Sequence, residues 1–171
     1  VEPWNGSLTL TLAPLAGGSP TWTRSYPAAI APGSARRVFT HDGTDVCAAP
    51  PCWIFGQLGG PAAEVAQVEF GLPLSGLRNL VQRGALPRAA VAASVLSVND
   101  TAAELEVSAT GAVALYVLLS SGEPGTFMPN AFHVRNGGRR HVMFASTQAW
   151  DGPPLAFGRL ERSLRVDWFN A

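Results

Sequence analysis

Lysine is missing from this chain. All twelve basic residues are arginine, and twelve carboxylates balance them, so the formal net charge is zero. A surface without excess positive charge gives no electrostatic footprint for nucleic acid or anionic lipid. Charge of either sign is scarce, at 14% of residues, where an average soluble domain carries roughly 25%. The all-arginine pattern, with abundant Ala, Gly and Pro, reads as the coding bias of a GC-rich genome rather than as chemistry. Long hydrophobic runs are also lacking. The longest, such as Ala112 to Leu119, are strand-sized and fall short of the ~18 apolar residues of a membrane helix. No nucleic acid, no membrane span and no cofactor is therefore expected. The sequence starts at Val1 without a methionine or a basic, apolar leader, so a mature or cleaved product, or the ordered part of something longer, is expected.

What is abundant is apolar side chains and turn formers: 47% hydrophobic residues, 18 Gly and 14 Pro in 171 residues. That is rich in turns but below the ~25–30% Gly plus Pro of disordered chains, and long enough for one large domain or two small ones. Ser7 to Leu12 alternates Leu8, Leu10 and Leu12 with small polar residues, the period-two signature of a half-buried strand. Further strands are expected from Trp22 through Tyr26, over Ala35 to Thr40 and over Glu64 to Leu72, with a long Gly/Pro/Cys loop from His41 to Pro61. Leu72 to Pro87 contains Pro73, Gly76, Gly84 and Pro87 and reads as irregular, which puts a domain boundary there.

After Pro87 the pattern restarts. Ala89 to Val98, Ala103 to Ala109 and Ala112 to Ser120 carry enough valine to favour strand over helix. Asn136-Gly137-Gly138 between Ala131–Arg135 and Arg140–Ser146 signals a hairpin, and Ser163 to Phe169 closes the unit. No segment shows a sustained helical period. The expected fold is all-β, two consecutive immunoglobulin-like antiparallel β-sandwiches over residues 1–86 and 87–171.

Cys47 and Cys52 are separated by four residues, two of them Pro50 and Pro51. A disulfide can close so short a loop, with a gain of about 2 kcal/mol in the chain-entropy model; two half-buried thiols are the competing reading. A zinc site would need two more ligands, and His41, His133 and His141 show no ligand spacing. Sequons occur at Asn5-Gly6-Ser7 and Asn99-Asp100-Thr101, both expected at turns. Together these favour an oxidising compartment: the secretory pathway, lysosomal or vacuolar, or the extracellular space.

Catalytic signals are weak. Glu104 and Glu106, two apart on an expected strand, share a face as a glycosidase pair would need, but that face is expected to be the solvated one. Asp42 and Asp45 give only two carboxylates in a polar turn, thin for calcium. No Gly-x-Ser-x-Gly elbow frames a nucleophile, and the glycine-rich stretches lack a phosphate loop's Lys-Ser/Thr. The five tryptophans, Trp4, Trp22, Trp53, Trp150 and Trp168, suit a core or an interface better than a sugar platform.

The segment Gly125-Thr126-Phe127-Met128-Pro129-Asn130-Ala131-Phe132, followed by His141-Val142-Met143-Phe144 and Ser163-Leu164-Arg165-Val166, resembles the end of β-mannosidases of glycoside hydrolase family two. Gly125, Phe127, Asn130 and Phe132 match the Gly-x-Phe-Ser-Asp-Asn-x-Phe spacing of that family's last immunoglobulin-like domain; Met128 and Pro129 replace its Ser-Asp pair. The first half is similar to the preceding sandwich through Ser7-Leu8-Thr9-Leu10-Thr11 and the cysteine loop before Trp53.

The resemblance implies a non-catalytic C-terminal portion of a β-mannosidase-like exoglycosidase acting on terminal β-linked mannose. Its catalytic glutamates would sit in a (β/α)₈ barrel of roughly 250 residues, either a separate processed chain or a segment outside this sequence. No catalytic residue is carried over. The rival expectation is a stand-alone β-sandwich glycoprotein, carbohydrate-binding or structural. With so little charge, a broad apolar contact with a larger partner is expected through Trp4, Trp53 and Trp150, taken as loop or terminal aromatics.

Overall fold

A computed structural model describes residues 3–40, 52–60, 66–70, 74–147 and 155–171. The chain divides into two compact units, Val1–Leu86 and Pro87–Ala171. Strands dominate both, in antiparallel sheets.

In the first unit, β1 (Trp4–Pro14), β2 (Trp22–Ile30), β3 (Cys52–Gly59) and β4 (Ala66–Phe70) form one sheet in the order β2-β1-β3-β4. Among the described residues this is the unit's only sheet. Central β1 pairs on both sides, Leu10 opposite Arg24 of β2 and Gly56 of β3, and Leu10 and Leu12 are buried as their alternation requires. The expected His41–Pro61 loop is corrected here: its second half is β3, a central strand. Its glycines and the preceding prolines masked Cys52-Trp53-Ile54-Phe55, whose aromatic and β-branched residues fit a pleated, covered surface. The expected strand over 35–40 is not one. It pairs with nothing in a ladder; instead Val38 and Phe39 lie on the leucine face of the sheet, Phe39 with its ring 5.3 Å from that of Tyr26.

A helix stands where regular structure was expected to break. α1 (Leu74–Gln82) has Leu74, Leu77, Leu80 and Val81 at helical spacing. Gly84 takes φ 60° and ends it, as the N–H groups of Gly84 and Ala85 return to the carbonyls of Val81 and Leu80.

The second unit is a two-sheet sandwich. One sheet has β5 (Ala90–Val98), β6 (Ala102–Thr110), β10 (Arg139–Ser146) and β8 (Gly125–Met128); the other has β11 (Arg165–Asp167), β7 (Ala114–Ser120) and β9 (Phe132–Val134). Alternation is cleanest on β6, where Ala103, Leu105, Val107 and Ala109 are buried between exposed or half-buried neighbours. They share a core with Val117, Leu119, Phe127, Phe132, Val134, Val142 and Phe144.

The expected hairpin at Asn136–Gly138 is also corrected. β9 pairs with β7 and β10 with β6 and β8, so the turn carries the chain from one sheet to the other. Gly137 does take φ 71°, and its N–H reaches the Ala109 carbonyl at 2.8 Å. A short helix α2 (Phe157–Ser163) precedes β11, so the last strand starts later than its alternation implies.

Asn170, only 5% exposed, fastens this unit. Its Oδ1 accepts from the Leu115 N–H at 2.9 Å, and its Nδ2 donates to the carbonyls of Pro87 and Val113 at 2.8 and 2.9 Å. The Ala89 N–H donates to the Asn170 carbonyl and Trp168 Nε1 to the Ala89 carbonyl, both at 2.9 Å. A buried polar group left without its partner costs about 1–3 kcal/mol. Asn170→Ala in the full chain should therefore lower unfolding free energy by about 3 kcal/mol, read as a reduced urea midpoint at unchanged slope. An unshifted midpoint would contradict the clasp.

Candidate functional site

The motif beginning at Gly125 is the natural place to look for chemistry, and each of its matching residues has a structural task. At Gly125 an added Cβ would collide with the Phe144 ring and the Ala145 carbonyl. The Phe127 ring packs 4.9 Å from that of Phe144. Asn130 presents its side-chain amide as a peptide group: Oδ1 accepts from the Leu119 N–H at 2.9 Å and Nδ2 donates to the Leu119 carbonyl at 3.0 Å. Ala131 then turns through φ 58°, which drives Phe132 into the core at 4% exposure. Met128, next to Phe127, is exposed.

Beside the motif lies the titratable group with the largest shift among the described residues. β7 and β9 lose register between Ala114 and Val117, and Tyr116 sits at φ 50°, a region costly for a side chain of its kind. His133 Nδ1 accepts the Tyr116 N–H at 3.0 Å, and the two rings meet edge to face at 4.7 Å. Burial, and secondarily the nearby Arg140 guanidinium, lower the His133 pKa to about 4. Arg140 itself lies over the Phe132 ring at 5.0 Å. The neutral imidazole is thus a fixed acceptor. On the outer face of this sheet, Tyr116, Leu118 and Phe169 are exposed.

The two carboxylates weighed as a catalytic pair are on the solvent-facing side of β6, as expected. Glu106 pairs with Arg139 at 2.9 Å, and Glu104 with His141 Nδ1 at 3.0 Å. Among the described residues, no group of three or more His, Cys, Asp or Glu side chains is placed to hold a metal ion, and no helix is long and apolar enough to cross a membrane.

The sequence-derived sites scatter. Asn99 lies at the turn between β5 and β6; its Oδ1 accepts the N–H groups of Thr101 and Ala102 at 3.0 and 2.7 Å. Asn5 is exposed but belongs to β1, opposite Ala29, not to a turn. Trp53 is corrected as an interface residue: it lies in β3, fully buried, because its strand is central. Trp4 is also in a strand, half-buried, with its ring lying over Gly6 and beside Gly60. Cys52 is buried in β3. Cys47, Trp150, His41, Asp42 and Asp45 lie outside the described residues. His133 and Asn170 were missed as key groups, since an isolated polar residue in an apolar stretch carries no spacing signal.

Residues 86–167 match the Ig-fold domain of the Ig_mannosidase family. This second unit has an Ig fold and is similar to the Ig-fold domain of that family. The Ig-fold domain and the unit before it are together similar in fold to solved glycoside hydrolases. The exo-chitosanase CsxA of Amycolatopsis orientalis is similar at a TM-score of 0.51 and 14% identity, over 99% of this chain and 23% of that one. A structure of the exo-β-D-glucosaminidase CsxA, inhibited by a glucosamine-configured castanospermine and an amino-australine analogue, gives 0.53 and 16% over the same shares. The chain thus spans under a quarter of the length of these structures. No curated protein matches it in sequence.

His133 sets a pH dependence with a definite sign. Its native pKa lies below the ordinary 6.5, so the unfolded chain binds this proton more readily. The stabilisation is complete above pH 6.5 and is lost as pH falls towards 4, by about 3 kcal/mol at most. His133→Asn keeps an acceptor at the δ position without the titration. Urea titrations of the full chain between pH 7 and 4 should show a steeper stability loss for the native protein than for this variant; parallel curves would refute the assignment.

Proposed function

We propose that this chain is a non-catalytic part of an exo-acting glycoside hydrolase of family two, with terminal β-linked mannose as its substrate class. In this reading it supports a catalytic (β/α)₈ barrel that lies outside the sequence. The observation that carries the proposal is the family match over residues 86–167. Two features agree with it. The motif residues Gly125, Phe127, Asn130 and Phe132 serve packing and backbone pairing, and Glu104 and Glu106 are engaged by His141 and Arg139 on a solvated face. Trp4 and Trp150 are the tryptophans proposed for contact with the barrel portion.

A β-D-glucosaminide is the second substrate reading, taken from the activity named for CsxA. Aryl β-mannoside and aryl β-glucosaminide should separate the two. The 171-residue chain alone should release no chromophore from either, whereas the barrel-bearing protein that contains or co-purifies with it should hydrolyse the mannoside. Hydrolysis by the chain alone would overturn the non-catalytic role. Preference of the larger protein for the glucosaminide would replace the substrate and leave the role standing.

An oxidising, secretory compartment is proposed with it, with Cys47 and Cys52 joined and glycans on Asn5 and Asn99. Material from the native host should resist thiol alkylation until reduced, and should lose mass on deglycosylation. Immediate labelling of both cysteines together with an unchanged mass would place the protein elsewhere.

A further inference from the structure

The sheet of the first unit leaves space on its leucine face, and the register shows where. Arg24, Leu10 and Gly56 form one row across β2, β1 and β3. The Arg24 guanidinium is turned onto the Trp22 ring, 5.4 Å from its centroid, and Gly56 carries no side chain. Leu10 is therefore the one apolar side chain that these three residues supply. The segment 36–39 lies towards the β2 side of this face: Arg36 Nη1 reaches the Ala29 carbonyl at 3.5 Å, and the Phe39 ring rests against Tyr26, the partner of Leu8. What remains is a cavity of about 420 Å³, within the ~300–1,000 Å³ of small-molecule sites. Leu8, Leu10 and Ile54 line it from the sheet, and Val38 and Phe39 from the segment beside it.

The other residues that line this apolar space are charged, Arg36 and Arg37. Both are exposed, which suits a rim where arginine stems cover apolar wall and the charged heads stay wetted. Among the described residues, neither guanidinium is paired with a carboxylate. A wholly apolar ligand would leave these two cations unused. A small hydrophilic anion would leave the leucine floor against water. An anionic head on an aliphatic body complements both parts. The arginine fork matches a carboxylate, which it can hold through two parallel N–H···O bonds. We propose that this cavity binds a medium-chain fatty carboxylate, with its alkyl body against Leu8, Leu10 and Ile54 and its head group at Arg36 and Arg37.

Decanoate, kept below its micelle-forming concentration, is the probe. The full 171-residue chain is titrated while its methyl signals are followed by NMR. Those of Leu8, Leu10, Val38 and Ile54 should shift and saturate together, while those of Leu105 and Val107 in the second unit stay still. Decanol keeps the body without the charge and should bind roughly tenfold more weakly, the loss of a charge-assisted contact. The double variant Arg36→Gln with Arg37→Gln, at exposed positions, should bring decanoate down to the affinity of decanol and leave decanol unchanged. Val38→Phe, which fills the space, should weaken both. The proposal is overturned if decanoate leaves the first-unit methyls unmoved or shifts both units alike. It is equally overturned if decanol or decyltrimethylammonium binds as tightly as decanoate, or if the double variant titrates like the native chain.

Discussion

Strand β7 depends on other people's side chains, so to speak, for its backbone hydrogen bonds. Its partner β9 is three residues long and slips out of register beside it, leaving N–H groups that a buried strand cannot leave unmet. Asn170 takes Leu115, His133 takes Tyr116, and Asn130 takes Leu119 at both its N–H and its carbonyl. Three side chains, two from residues 130–133 and one from the last strand's exit, thus complete one strand. The positive φ of Tyr116 is tolerable because these contacts over-determine it, and the core residues Leu115, Val117 and Leu119 are aimed inward as a result.

The alternating strands were the most legible part of the sequence. Leu10 and Leu12 of the alternating Ser7–Leu12 are buried in β1, and the valine-rich stretches expected over 89–98 and 103–109 are β5 and β6 but for Ala89. What misled was punctuation. Glycines and prolines that sit just outside an element read the same as those that interrupt one, so β3 and α1 were lost to their flanks. Val38 and Phe39 show the opposite error, an apolar pair that covers a sheet without joining it. The turn at Gly137 was legible as a turn, but whether a turn joins partners in one sheet or crosses to another depends on distant pairing.

The candidate site was legible in outline and misjudged in character. The spacing of Gly125, Phe127, Asn130 and Phe132 was visible, and it marks a backbone device rather than a binding surface. A polar residue set in a recognisable spacing, such as Asn130, invites a functional role, yet its amide replaces a missing stretch of β ladder. His133 and Asn170 were invisible because their meaning comes from a strand 17 and 55 residues away. No periodicity encodes such distances.

The clasp of Asn170 and Trp168 on Pro87 and Ala89 has a consequence for how the Ig-fold domain is made. Its first residues are bonded to its last, across 83 positions for Asn170 and Pro87. During synthesis the early strands β5 and β6 can pair locally, but the Leu115 N–H of β7 lacks its acceptor until residue 170 has cleared the ribosome. The unit therefore closes late and all at once, and its early strands wait with an exposed apolar face, the period in which a nascent chain most needs protection from aggregation.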